Sequence, residues 1–224
     1  MTSTINNQPK TDQPTPGILG SVQSKPNEQS GISVQGHIKI FDPVSKEVYI
    51  DKRNAIHYEN FSIALAQSIS NNEGPISEMV FGNGGSRVDP TGIITYLTPN
   101  TVGSNSALYN QTYYKTVDAK RSYSLDPARN FMETRHVVGT AYSDVLVSCL
   151  LDFGEPYDQM AFDNSTDSSG MYVFDELGLK SYSAAGPNEG ILLTHVIFHP
   201  VQKSLNRMIQ VDYTIRIQSI SSGI

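Results

Sequence analysis

The glycine run FGNGGS, residues 81–86, offers backbone N–H groups of the kind that cradle anions at a helix start. It lacks the Lys-Ser/Thr pair of a phosphate loop, and no helical pattern follows, so a bend in which glycine supplies positive φ is expected. DNSTDSSG, residues 163–170, carries oxygen-bearing side chains at alternate positions, as a calcium loop would. Ser168 stands where that motif requires Gly, and Phe174 where it requires a bidentate Glu, which leaves a polar surface loop. His195 and His199 are four apart, a spacing that suits zinc on a helix. Their segment LLTHVIFHP reads as a strand, where four residues span about 13 Å, too far for two imidazoles to share an ion. Two structural histidines are expected.

The acids Asp175 and Glu176 are adjacent in FDELGL. In an extended segment they point to opposite faces and cannot jointly flank a glycosidic bond. No G-x-S-x-G elbow places a serine nucleophile on a strand-to-helix turn. The single cysteine, Cys149, lies in the apolar run VLVSCLL, where a thiol is inert and no internal disulfide can form. No active-site, metal or cofactor hypothesis survives, and a chain without enzymatic activity is expected.

The elements that would position these residues are mostly strands. Charged residues make up only 17% of the 224, Trp is absent and Tyr numbers 12, a sheet-and-turn composition. GHIKIFDPVSKEVYIDK reads as a β-hairpin with Ile38 and Ile40 on one face and a DPVS turn. Phe61, Ala64, Leu65, Ser68 and Ile69 recur at helical spacing and predict the principal helix, over Tyr58 to Ser70. A short strand then enters the glycine run, followed by a turn-rich excursion over 87–110. YNQTYYKTV, FMETRHVVGT and DVLVSCLLDF read as strands. In RMIQVDYTIRIQ, Ile209, Val211, Tyr213, Ile215 and Ile217 point one way and Gln210, Asp212, Thr214 and Arg216 the other.

These elements predict a mainly β fold: an antiparallel β-sandwich or jelly-roll-like domain over residues 32–224, with one principal α-helix and an extended N-terminal arm over residues 1–31. The arm is rich in Thr, Ser, Asn, Gln and Pro and cannot bury enough apolar surface to order itself. Its sizeable aliphatic side chains, Ile5, Ile18, Leu19 and Val22, are the expected anchors on partner chains, with Pro14, Pro16 and Pro26 stiffening the path between them. Tyr109, Tyr113, Tyr114 and Tyr123 suit half-buried sheet packing, with protein or sugar recognition as the other use. A formal charge of −6 and a pI near 5.3 argue against a direct nucleic-acid partner. The sequence lacks a bilayer-spanning apolar run and a signal pattern, so no membrane partner is expected.

Two stretches resemble virion structural proteins of large contractile-tailed, myovirus-like bacteriophages. One is GHIKIFDPVSKEVYIDKRNAIHYENFSIALAQSI followed by FGNGG; the other is VFDELGLKS with GILLTHVIFHPVQKSLNRMIQVDYTIRIQ. The resemblance implies a place in the virion, at the neck, collar, baseplate or tail-fibre attachment, assembled in the host bacterial cytoplasm. Its implied partners are other virion structural proteins and copies of the chain itself. It carries over no catalytic or binding residue. The competing readings are a host-recognition or glycan-binding tail module and a capsid decoration protein.

Overall fold

Alternation of buried apolar and exposed polar side chains sets the first strand. In the computed structural model, which describes residues 30–70, 74–157 and 171–221, β1 (Ser30–Phe41) buries Val34, Ile38 and Ile40 and exposes Gln35 and His37. The Asp42 carboxylate accepts N–H bonds from Val44 at 2.8 Å and Ser45 at 2.9 Å, closing the predicted turn into β2 (Val48–Ile56). The anchors Ile5, Ile18, Leu19 and Val22 and the loop 163–170 lie outside the described residues.

Seven further strands and a short ribbon follow: β3 (Ile76–Gly82), the ribbon strands β4 (Ser86–Val88) and β5 (Ile94–Tyr96), β6 (Gln111–Thr116), β7 (Phe131–His136), β8 (Tyr142–Leu151), β9 (Met171–Ser181), β10 (Leu192–Ser204) and β11 (Ile209–Ser221). The fold is mainly β, as the composition predicted. One nine-stranded sheet runs β6-β3-β9-β10-β2-β1-β11-β8-β7, antiparallel throughout, and β4 pairs with β5 beside it.

β2 is the hinge of this sheet. Val48 to Asn54 pair with β1, whereas Ala55 and Ile56 pair with His195 and Thr194 of β10. The sheet therefore curls, and its two halves face one another across a common core in the manner of a sandwich. Ile38, Ile40, Val147, Cys149, Val211 and Tyr213 come from one half, and Phe81, Phe174, Leu177 and Phe198 from the other. Phe174 is the aromatic centre, with ring centroids 5.3 Å from Phe81, 5.4 Å from Tyr172 and 5.8 Å from Phe198. On β11, Ile209, Val211, Tyr213 and Ile215 are fully buried as their alternation requires, and Ile217 is partly so.

The helix α1 (Tyr58–Ser70) starts on a histidine. His57 Nδ1 accepts the Asn60 N–H at 3.2 Å, doing what a Ser or Asp side chain does at most helix starts. Asn60 donates from Nδ2 to the Leu192 carbonyl at 2.8 Å, so the first turn is tied to β10 by polar groups. The predicted apolar face is only partly used: Ala64 is buried, Phe61 packs on the core, and Ile69 remains 81% exposed. The contacts that hold α1 are concentrated in its first two turns, and the last turn extends beyond them. No helix among the described residues is long and apolar enough to cross a membrane.

Candidate functional site

The apolar positions of β9 change parity. Tyr172 and Phe174 enter the core, then Leu177 and Leu179, so the alternation slips by one residue at Asp175 and Glu176. The pairing shows the irregularity: Phe174 lies opposite Val201 and Glu176 opposite Ile197. A bulge of this kind turns two neighbouring side chains toward one side. The opposite-face expectation for Asp175 and Glu176 is thus incorrect, because it assumed a regular strand.

Both carboxylates reach the glycine run that follows β3. Asp175 Oδ1 accepts the Gly85 N–H at 2.9 Å, and its Oδ2 accepts the Ser86 N–H at 2.7 Å and the Ser86 hydroxyl. Glu176 Oε1 accepts N–H bonds from Gly84 at 3.1 Å and Asn110 at 2.8 Å; its Oε2 accepts from Tyr109 N–H at 3.0 Å and His195 Nε2–H at 2.9 Å. His195 Nδ1 in turn accepts the Asn100 N–H at 2.7 Å, which fixes the proton on Nε2. The glycine run does cradle anions, and the anions are the chain's own carboxylates.

The expectation of positive φ at these glycines is incorrect, since none of Gly82, Gly84 and Gly85 is in the left-handed region; they serve this close approach instead. A Cβ on Gly82 would lie 2.4 Å from the Asn110 carbonyl oxygen and 2.6 Å from Glu176 Oε1. The cluster fastens the whole 83–110 excursion over the outer face of β3, β9 and β10. Val80, Leu108 and Leu192 form a small second core beneath it. His57 Nε2 adds a further tie at 2.9 Å to the Gly103 carbonyl.

The electrostatics follow from burial opposed by hydrogen bonds. Burial works against ionisation of Glu176, but the bonds from His195, Asn110 and Tyr109 outweigh it and hold the carboxyl below its ordinary range. For Asp175 burial prevails over the bonds from Ser86 and Gly85, and the carboxyl sits above its ordinary range. The carboxylate oxygens are occupied, Ser86 gives its proton to Asp175 and not to a histidine, and Glu176 and His195 are fully buried. Chemically the arrangement is a lock on a loop. His199, by contrast, is exposed and meets the Tyr96 hydroxyl through Nδ1 at 3.2 Å, so the two histidines make separate contacts. Among the described residues no three His, Cys, Asp or Glu side chains are grouped to hold a metal ion.

A second buried ionic cluster joins β6 and β10 to the turn after β8. Lys115 Nζ pairs with Glu155 and donates to the Leu150 carbonyl at 2.7 Å. Lys203 Nζ, fully buried, donates to the carbonyls of Glu155 at 2.7 Å and of Asp152 and Ser204 at 2.9 Å. Burial lowers the Lys203 ammonium to about 8, against the upward pull of Glu155 and Asp152. Cys149 is buried and its thiol is pushed up to about 12 by desolvation, which keeps it unreactive.

The accessible features are surfaces. An apolar groove of about 610 Å³ opens between α1 and the β7, β8 and β11 end of the curled sheet, lined by Phe61, Leu65, Met132, Val145, Ile215 and Ile217 among others. A second hollow, about 530 Å³, separates β2 from β10 and presents Tyr49, Arg53, Tyr96 and His199. Tyr113 packs in the core, Tyr114 against the small second core, and Tyr109 and Tyr123 are exposed. The roles of His57 and Asn60 and the shared role of Asp175 and Glu176 are not evident from the sequence pattern. The parity slip in MYVFDELGL was the available signal for the last two. Compared with protein-family models, curated proteins and solved structures, the chain matches none.

Proposed function

We propose that this chain is a structural subunit of a tailed-bacteriophage virion, at the neck or collar or in the tail or baseplate, present in several copies and held by contacts with other virion proteins. The observation that carries the reading is the open apolar groove beneath α1. A hollow of this size and lining is a seat for an aliphatic protein segment, while the polar chemistry of the chain is spent on internal locks. The resemblance of the hairpin-helix and C-terminal segments to phage virion proteins supplies the setting. Mass spectrometry of purified particles tests the reading, which requires the chain at several copies per particle and is overturned by its absence.

A second reading, a host-recognition or glycan-binding tail module, is favoured by the β2/β10 hollow, where Tyr49 and Tyr96 offer aromatic faces beside Arg53 and His199. A glycan array with the purified full chain separates the two, since an assembly subunit binds none of the sugars displayed. Capsid decoration remains as a third location for the same kind of subunit.

A further inference from the structure

The apolar groove beneath α1 lies at the end of the sheet where β1 begins. Ile215 and Ile217, on its floor, pair with Gly36 and Val34 of β1. From Val34 the strand continues to Ser30, still paired with β11 up to Ser221, so it runs past the groove's flank. Ile32, on the same face as Val34, is 62% exposed, which extends the apolar strip past the groove toward the point of departure. Upstream of Ser30 stand 29 residues whose sizeable aliphatic side chains are Ile5, Ile18, Leu19 and Val22. The groove rim carries Asp118, Lys120, Arg121 and Glu133, a balanced set that neither attracts nor repels the arm, whose Lys10, Lys25, Asp12 and Glu28 also balance.

We propose that this groove receives the Ile18, Leu19 and Val22 segment of the N-terminal arm from a second copy of the chain. The inference rests on the reading of the chain as a multi-copy assembly subunit and names the contact that joins neighbouring copies. The direction of β1 decides between the chain's own groove and a neighbour's. β1 stays paired to Ser30, past its own groove, so to seat Val22 there the same chain would have to reverse between Ser30 and Val22. The eight steps from Ser30 back to Val22 span at most about 28 Å, sufficient to cross to an adjoining subunit. Three aliphatic side chains supply the apolar contact that the groove lacks, and identical copies in a ring repeat it at every junction.

The test is cysteine cross-linking in the full-length chain. One tagged copy carries Ser68→Cys on the groove wall and a second, differently tagged copy carries Ser21→Cys in the arm; buried Cys149 does not compete. After mixing and mild oxidation, a disulfide between the two tags is expected. Leu19→Asp in the arm copy should slow its formation by at least about tenfold, the loss that follows from one large aliphatic contact. A chain carrying both cysteines that closes only on itself overturns the proposal in favour of the chain's own arm. No cross-link in either arrangement also overturns it and leaves the groove to another virion protein. If the chain is found in particles but the cross-link fails, only this inference falls; absence from particles removes the functional reading itself.

Discussion

Glu176 gathers four hydrogen bonds at a position with no access to water, and His195 is oriented by one of them. Glu176→Ala would strand the His195 Nε2–H and the N–H groups of Gly84, Tyr109 and Asn110. A loss of at least about 3 kcal/mol in unfolding free energy is expected, because each buried donor left without an acceptor costs about 1–3 kcal/mol, read by urea denaturation. Acidification acts on the two acids with opposite sign. Glu176, held low, contributes stability that disappears as pH falls through its folded value; Asp175, held high, is relieved of its burial penalty as pH falls through its own. Lys203 governs the alkaline side. Its folded-state proton leaves at about 8, while the unfolded lysine keeps its proton to the ordinary value of 10.5. The unfolded state therefore binds more protons in that window, and stability should rise with pH through this group. Comparing the native chain with Lys203→Met from about pH 7 to about pH 10 isolates the effect, because the variant lacks that rise.

At the scale of elements, the glycine run and β9 form one device. Gly82→Ala places a methyl group against the Asn110 carbonyl and the Glu176 carboxylate, and should cost about 1–3 kcal/mol through overpacking, measured as a lowered denaturation midpoint. Hydrogen exchange should show the amides of Gly84, Gly85 and Asn110 losing protection first, because they are the ones the lock engages. The strands themselves were legible in the sequence because alternation is a local signal: Ile38 with Ile40, and Ile209 through Ile215, declare their buried faces without knowledge of their partners. The lock was not legible in the same way. Its donors and acceptors come from 84–86, 109–110, 175–176 and 195, and only the fold reveals that a bulge turns both acids toward the same loop. The helix shows the reverse difficulty, since Ile69 obeys the apolar spacing and yet lies beyond the contacts that secure α1.

For the whole molecule, a curled sheet fastened by buried ionic clusters leaves its recognition capacity in open surfaces, chiefly the groove at the end where β1 begins. Removal of residues 1–29 should leave the denaturation midpoint of the remaining chain nearly unchanged, since the described strands complete one core without them. If the proposed assembly role holds, incorporation into particles, scored by complementation, should fall. The most direct measurement of the proposed role is the copy number of this chain in purified tailed particles, by quantitative mass spectrometry. Several copies per particle, in a constant ratio to the tail proteins, are expected; a chain that stays in the soluble fraction and is missing from the particles would overturn the assembly role.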